Sequence, residues 1–154
     1  MTAIFQTKRI GITCCFSGPR SKNAVQEAIR RGYRHIISGM AVGVDMLAAK
    51  IVLQMREDMP DKRITLEAAV PFPGQPKRWK EETKLEYESI LSWCDKVHFF
   101  ADTFSVAAYQ ERDRYMVEGS SLLIAVPGKP NGGTPRIIAY ARELNREVVL
   151  IRNL

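Results

Sequence analysis

No apolar run in this chain is longer than a β-strand, so the sequence offers nothing that spans a membrane. Residues Met1 to Ile10 lack the apolar core followed by small residues that marks a secretory signal, and the expected location is the cytoplasm. Cysteine is scarce: Cys14, Cys15 and Cys94 make an odd set without metal-ligand spacing. Cys14 and Cys15 are adjacent in a run whose side chains alternate between faces, so they do not easily act together. They read either as buried free thiols or, for Cys15, as a reactive group beside a ligand loop. The only histidines, His35 and His98, lie in or beside apolar segments and read as structural. With no Cys/His cluster, no HExxH and no Ser-His-Asp pattern, no metal site is expected. Linkers, repeats and low-complexity stretches are also missing, which leaves residues 1–154 as one expected domain, long enough to bury roughly two-thirds of its unfolded surface.

Positive charge is in excess. The net charge of +6 favours anionic partners without separating a phosphate-bearing small molecule from nucleic acid. The basic residues are scattered along the chain, as on solvated helix faces, and form no dense tract.

The apolar pattern alternates between two periods. Strands are expected at Arg9 to Phe16, Arg34 to Ser38, Ile64 to Val70, Lys96 to Phe100, Ser121 to Val126 and Glu147 to Ile151. Helices are expected at Ser21 to Arg31 (capped by Ser21, with Gly32 just past the end), Asp45 to Glu57, Lys77 to Trp93, Ala108 to Val117 and Thr134 to Leu144. Strands that alternate with helices, several of them apolar on both faces, predict an α/β fold. It is a Rossmann-like, mostly parallel sheet with helices on both faces. In such sheets the ligand lies beyond the carboxyl ends of the strands.

Every candidate loop follows the end of a strand. Two glycine-rich turns stand out: Ser38-Gly39-Met40-Ala41-Val42-Gly43-Val44-Asp45 and Pro127-Gly128-Lys129-Pro130-Asn131-Gly132-Gly133-Thr134. A strand that stops at glycines and restarts as a helix turns unpaired N–H groups and the positive dipole end outward, which suits phosphate. Gly39 and Gly43 read as points of close ligand approach or as parts of a tight turn, and Asp45 as a ribose ligand or a helix cap. Gly132, Gly133 and Thr134 read as an anion nest with Thr134 as cap and phosphate ligand together. The second turn is neither a Walker loop nor the usual dinucleotide fingerprint. Ser17, Gly18 and Arg20 follow the first strand, where Arg20 is either a phosphate clamp or a solvated loop residue. Pro71 and Phe72, with Gln75 and Trp79, follow the third strand; an aromatic there stacks on a base or packs under a loop. Arg112 and Tyr115, three apart in a highly charged helix, share a face.

Together these segments resemble the SLOG superfamily, named for the Smf/DprA DNA-processing proteins and the Lonely Guy enzymes, in its YpsA-like branch of bacterial and phage proteins. The resemblance rests on Cys14 to Arg20, Ser38 to Asp45, Pro71 to Gln75 with Trp79, Arg112 to Met116, and Gly132-Gly133-Thr134, in family order over nearly the whole chain. It implies a Rossmann-like fold that binds a nucleotide-type ligand, such as an ADP-ribose or NAD-like molecule or a nucleoside phosphate. No other cofactor is implied. Lonely Guy enzymes cleave an N-glycosidic bond with an arginine and a PGGxGTxxE motif; here the arginine falls on Arg112 and the motif's glutamate on Ile137. The usual Gly-His-Arg reads Gly18-Pro19-Arg20, and the usual Arg-Asn reads Arg112-Asp113.

The expected function is therefore binding or sensing of a phosphate-bearing nucleotide derivative through Ser17, Gly18, Arg20, Ser38, Gly39, Met40, Gly43, Asp45, Pro71, Phe72, Arg112, Gly132, Gly133 and Thr134. Two other readings stand beside it. One is nucleotide N-glycosidase (phosphoribohydrolase) activity, with Glu118 or Asp45 replacing the missing glutamate. The other is single-stranded nucleic-acid binding, as in DprA-like relatives. Superfamily members often self-associate, so a homodimer is compatible with the resemblance; a membrane partner is not expected.

Overall fold

The computed structural model of the chain describes residues 11–14, 19–126 and 133–151. Parallel strands cannot be joined by a tight turn and need a crossover, usually a helix. The alternation supplies one at every step. The order is β1 (Gly11–Cys14), α1 (Pro19–Arg30), β2 (His35–Ser38), α2 (Val44–Asp58), β3 (Thr65–Val70), α3 (Glu81–Trp93), β4 (Lys96–Phe99), α4 (Val106–Glu118), β5 (Leu122–Ala125), α5 (Gly133–Glu143) and β6 (Glu147–Leu150). All six strands join one parallel sheet in the order β4-β3-β2-β1-β5-β6. The chain steps outward from β1 to β4, then crosses over to lay β5 and β6 on the other side of β1. Strand order thus reverses between β1 and β5, and loops leaving their carboxyl ends border the crevice that binds ligands in open α/β sheets. The expected α/β architecture is the observed one. No helix among the described residues is long and apolar enough to cross a membrane.

Both sheet faces are buried, which is why the strands carry consecutive apolar residues. Ile36, Leu66, Ala68, Val70, Leu122 and Ile124 face α1, α2 and α3, where Val25, Ile29, Val52 and Ile90 meet them. On the opposite face, Leu123 and Ala125 pack with Ile137, Ile138 and Ala141 of α5, while Ile37 and Ala69 pack with Met116 of α4.

Three expectations need correction. Helix α1 starts at Pro19, two residues before the expected Ser21 cap, because proline suits a first helical turn that needs no N–H. The expected helix from Lys77 to Trp93 is broken. Gln75–Arg78 forms a 3-10 turn, Trp79 and Lys80 are extended, and α3 begins at Glu81. The apolar period misled because Leu85 and Trp93 are exposed (59% and 63%), while Trp79 turns aside to pack edge-on against Tyr87 at 5.3 Å. Helix α4 begins at Val106, earlier than the expected Ala108, because Ser105 caps it by accepting the Ala108 N–H at 3.0 Å.

A carboxylate lies within the packed structure. Glu67 on β3 is almost fully buried on the α4 side of the sheet. Its Oε2 is 2.8 Å from His35 Nε2 of β2, the Tyr115 hydroxyl of α4 donates to its Oε1, and Lys96 Nζ of β4 stands 3.5 Å from the same oxygen. Burial alone would raise its pKa. The hydrogen bonds from His35 and Tyr115, with the Lys96 charge, outweigh burial and hold it at about 2. His35 Nδ1 in turn meets Thr65 Oγ1 at 2.7 Å, and His98 stacks on Phe100 at 4.3 Å, so both histidines are built into the fold. Cys94 is a half-buried free thiol; burial and the neighbouring Asp95 push it up to about 11, which makes it a poor nucleophile.

Candidate functional site

The turn after β2 is fixed by its own side chains. Ser38 Oγ donates to the Asp45 carbonyl at 3.0 Å and accepts the Met40 N–H at 3.2 Å. Asp45 is not the cap of α2: that position is Gly43, and the Asp45 carboxylate instead accepts the Ala41 N–H at 3.2 Å. The sequence suggested a cap because Asp45 opens the apolar period, yet the helix starts one residue earlier at Val44. Met40 is fully buried with φ 55°, a left-handed conformation uncommon for a residue with a side chain. Its carbonyl accepts the Gln75 amide at 3.3 Å, tying this loop to the one after β3. Gly43 has φ 90°, and a Cβ built there meets nothing within 4 Å, so its backbone is open to approach from outside.

Gly39 is used differently. The Arg112 guanidinium reaches across from α4 and donates to the Gly39 carbonyl at 2.7 Å. A Cβ on Gly39 would stand 2.9 Å from both Arg112 Nη1 and Asp45 Oδ2. The bare α-carbon is the space in which these two charged groups converge. Gly39→Ala is expected to displace the Arg112 side chain and break its bond to the carbonyl. The expected loss is about 1–3 kcal/mol of stability, since a charged hydrogen bond is removed. Urea denaturation measures it; an unchanged midpoint would mean that Arg112 does not need this glycine.

Arg112 is nearly buried and also donates from Nε to Asp113 Oδ1 at 2.8 Å. Burial raises the Asp113 carboxyl above its ordinary value, and the Arg112 charge and hydrogen bond only partly oppose it. Arg112 and Tyr115 share the sheet-facing side of α4, as their spacing predicted, but Arg112 serves the strand ends and Tyr115 the Glu67 network.

Helix α5 starts at Gly133, which is exposed and has open space where a Cβ would be. A cleft of about 330 Å³ runs between the starts of α4 and α5, lined among others by Arg112, Arg114, Gly133 and Arg136, with Asp113 as the single carboxylate among the described residues. Arg136 is the residue that sequence reasoning missed. Its signal was available: a cation in the first turn of a helix opposes the macrodipole, and α5 has no acid there. Ile137, at the position where the family motif has glutamate, lines the same cleft and is buried against the core. Thr134 is the second residue of the helix and half-buried. Glu118 lies at the far end of α4, accepts the Tyr140 hydroxyl at 2.7 Å, and lines a separate cleft with His35, Glu67 and Lys96.

After β3, buried Pro71 accepts the N–H groups of Phe100 and Ala101 at 3.3 and 3.0 Å. Phe72 is half-buried against Phe104 and Tyr109. The structure thus brings Ser38, Gly39, Met40, Asp45 and Arg112 into contact and places Gly43, Pro71, Phe72, Gly133 and Thr134 at the same sheet edge. Ser17, Gly18 and Gly132 lie outside the described residues, as does the Arg20 side chain, although Arg20 itself falls in the first turn of α1.

Residues 3–151 match the sequence profile of the YspA SLOG family. The chain is 32% identical over 106 residues to a UPF0398 protein of Brevibacillus brevis, which covers 68% of this chain and 55% of that protein. It is 27% identical over 151 residues to a UPF0398 protein of Bacillus cereus, covering 94% of this chain and 78% of that protein. Among solved structures, DNA processing protein A (DprA) from Streptococcus pneumoniae superposes with a TM-score of 0.65 at 17% identity, over 97% of this chain and 52% of that one. At that identity the likeness is one of fold. The chain spans about half the length of the Brevibacillus relative and of the DprA chain.

Proposed function

The chain belongs to the YspA SLOG family, and from that premise we propose that it binds or senses a phosphate-bearing nucleotide derivative at the carboxyl ends of its strands. The observation that carries the reading is the start of α5. There an exposed glycine with open space above it, a first-turn Arg136 and, across the cleft, Arg112 and Arg114 surround one small volume. A first-turn cation loses about 0.3–1 kcal/mol against the helix dipole, and an anion seated between the two reverses that sign. Gly133 and Thr134, with Gly132, would hold the phosphate. The open backbone at Gly43 would approach the ribose, while Gly39, Ser38 and Asp45 hold Arg112 and the turn in place. Ser17, Gly18 and Arg20, which follow β1 in the sequence, complete the proposed set.

Binding comes ahead of N-glycosidic cleavage because the motif's carboxylate position is the apolar Ile137. Of the proposed substitutes, Asp45 is engaged by the Ala41 N–H and Glu118 lines a different cleft. Calorimetric titration with AMP, ADP, ADP-ribose and NAD tests the proposal. At least one is expected to bind, with Arg136→Glu weakening it about tenfold or more. No binding of any of them up to about 1 mM would overturn the proposal.

A second reading, single-stranded nucleic acid, is favoured by the net charge of +6 and by Phe104 standing exposed at this edge. It predicts an affinity that falls steeply with salt and depends on several separate Lys and Arg residues.

A further inference from the structure

Phe104 and Val106, two residues apart before and at the start of α4, are 67% and 62% exposed, and no core packing among the described residues accounts for apolar side chains there. Phe104 belongs to an edge-to-face trio. Its ring centroid lies 5.8 Å from Phe72 and 6.1 Å from Tyr109, and Phe72 and Tyr109 are also 6.1 Å apart. Tyr109 and Val106 also line the cleft that holds Gly133 and Arg136, so the aromatic cluster adjoins that cleft through Tyr109. The Arg112 guanidinium stands 5.4 Å from the Tyr109 centroid, which places a cation beside the aromatic cluster as well.

We propose that Phe72, Phe104 and Tyr109 form a base-stacking subsite, so that the ligand is a nucleotide held by its aromatic base as well as by its phosphate. The proposal rests on the phosphate reading above. An edge-to-face trio with one ring largely in solvent leaves a π-face free for a flat heterocycle, which stacks without regard to base identity. The volume of about 330 Å³ is at the small end of ligand sites and matches a single nucleotide better than a strand. Arg114, Arg136 and the helix start would take the phosphate, and the rings that adjoin the cleft at Tyr109 would take the base.

The test compares AMP with ribose 5-phosphate, which carries the sugar and phosphate without a base, on the wild-type protein and on Phe104→Leu and Phe104→Trp. Phe104 is mostly exposed, so both variants should fold, and a thermal melt checks this. Phe104→Leu keeps the apolar bulk and removes the ring. It is expected to weaken AMP about five- to fiftyfold and leave ribose 5-phosphate unchanged, with Phe104→Trp restoring AMP binding. Unchanged AMP affinity in Phe104→Leu would overturn the stacking subsite while the phosphate site stands. Failure of the wild type to bind AMP would overturn the stacking subsite as proposed, and failure to bind ADP, ADP-ribose and NAD as well would overturn the phosphate site with it. If Phe104→Leu weakens a thymidine oligonucleotide but not AMP, the rings serve a strand and the mononucleotide subsite is wrong.

Discussion

Glu67→Gln is expected to lower the unfolding free energy at pH 7 by about 2–4 kcal/mol. Breaking a buried, hydrogen-bonded charge cluster at one member is strongly destabilising because the partners remain. Glu67 is buried among His35, Tyr115 and Lys96, and its carboxyl is held at about 2 against an ordinary 4.5. A depression of that size contributes on the order of 3 kcal/mol at neutral pH. The folded pKa lies below the unfolded one. The contribution is therefore fully present above pH 4.5 and is lost as the pH falls from there through about 2. Urea denaturation of both proteins at steps between pH 7 and pH 2 should show a wide gap that narrows across this window. A gap that stays constant with pH would mean that the variant loses shape complementarity rather than the charge.

The largest binding effect is expected from Gly133→Asp. A side chain at Gly133 meets nothing within 4 Å and the residue is exposed, so the fold should survive. The substitution nevertheless puts a carboxylate at the helix start where the phosphate would sit. It would occupy the N–H groups and neutralise part of the cluster formed by Arg112, Arg114 and Arg136. A loss of a hundredfold or more in nucleotide affinity, with an unchanged melting temperature in the absence of nucleotide, is the expected result. Equal affinity in the two proteins would move the phosphate away from α5.

The parallel sheet was legible because its evidence is local: consecutive apolar residues such as Leu122 to Ala125 can only be buried on two faces, and helix periods fall between them. The break at Trp79 was not legible, since Leu85 and Trp93 satisfy a helical period on paper yet point to solvent. Glu67 also escaped. A glutamate in the strand Thr65-Leu66-Glu67-Ala68 reads as an ordinary polar position, and its importance comes from partners on β2, β4 and α4 that are 29 to 48 residues away. At Gly39 a glycine between strand and helix reads as a tight turn or a ligand approach. The actual use, room for a guanidinium from a residue 73 positions later, depends on a contact that exists only once the sheet has formed. Arg136 stands between these cases: its unfavourable place in a helix start is visible in the sequence, but its meaning depends on Arg112 and Arg114 lining the same cleft.

Native mass spectrometry of the gently purified protein, followed by denaturation and identification of any released small molecule, tests the strand-end phosphate site most directly. It is backed by the same measurement after titration with AMP, ADP, ADP-ribose and NAD. The predicted result is a nucleotide-type mass, bound one per chain to the wild-type protein and missing from folded Gly133→Asp. A wild-type protein that carries no such molecule and takes up none from the titration would contradict the phosphate site. The single-stranded nucleic-acid reading would then take first place.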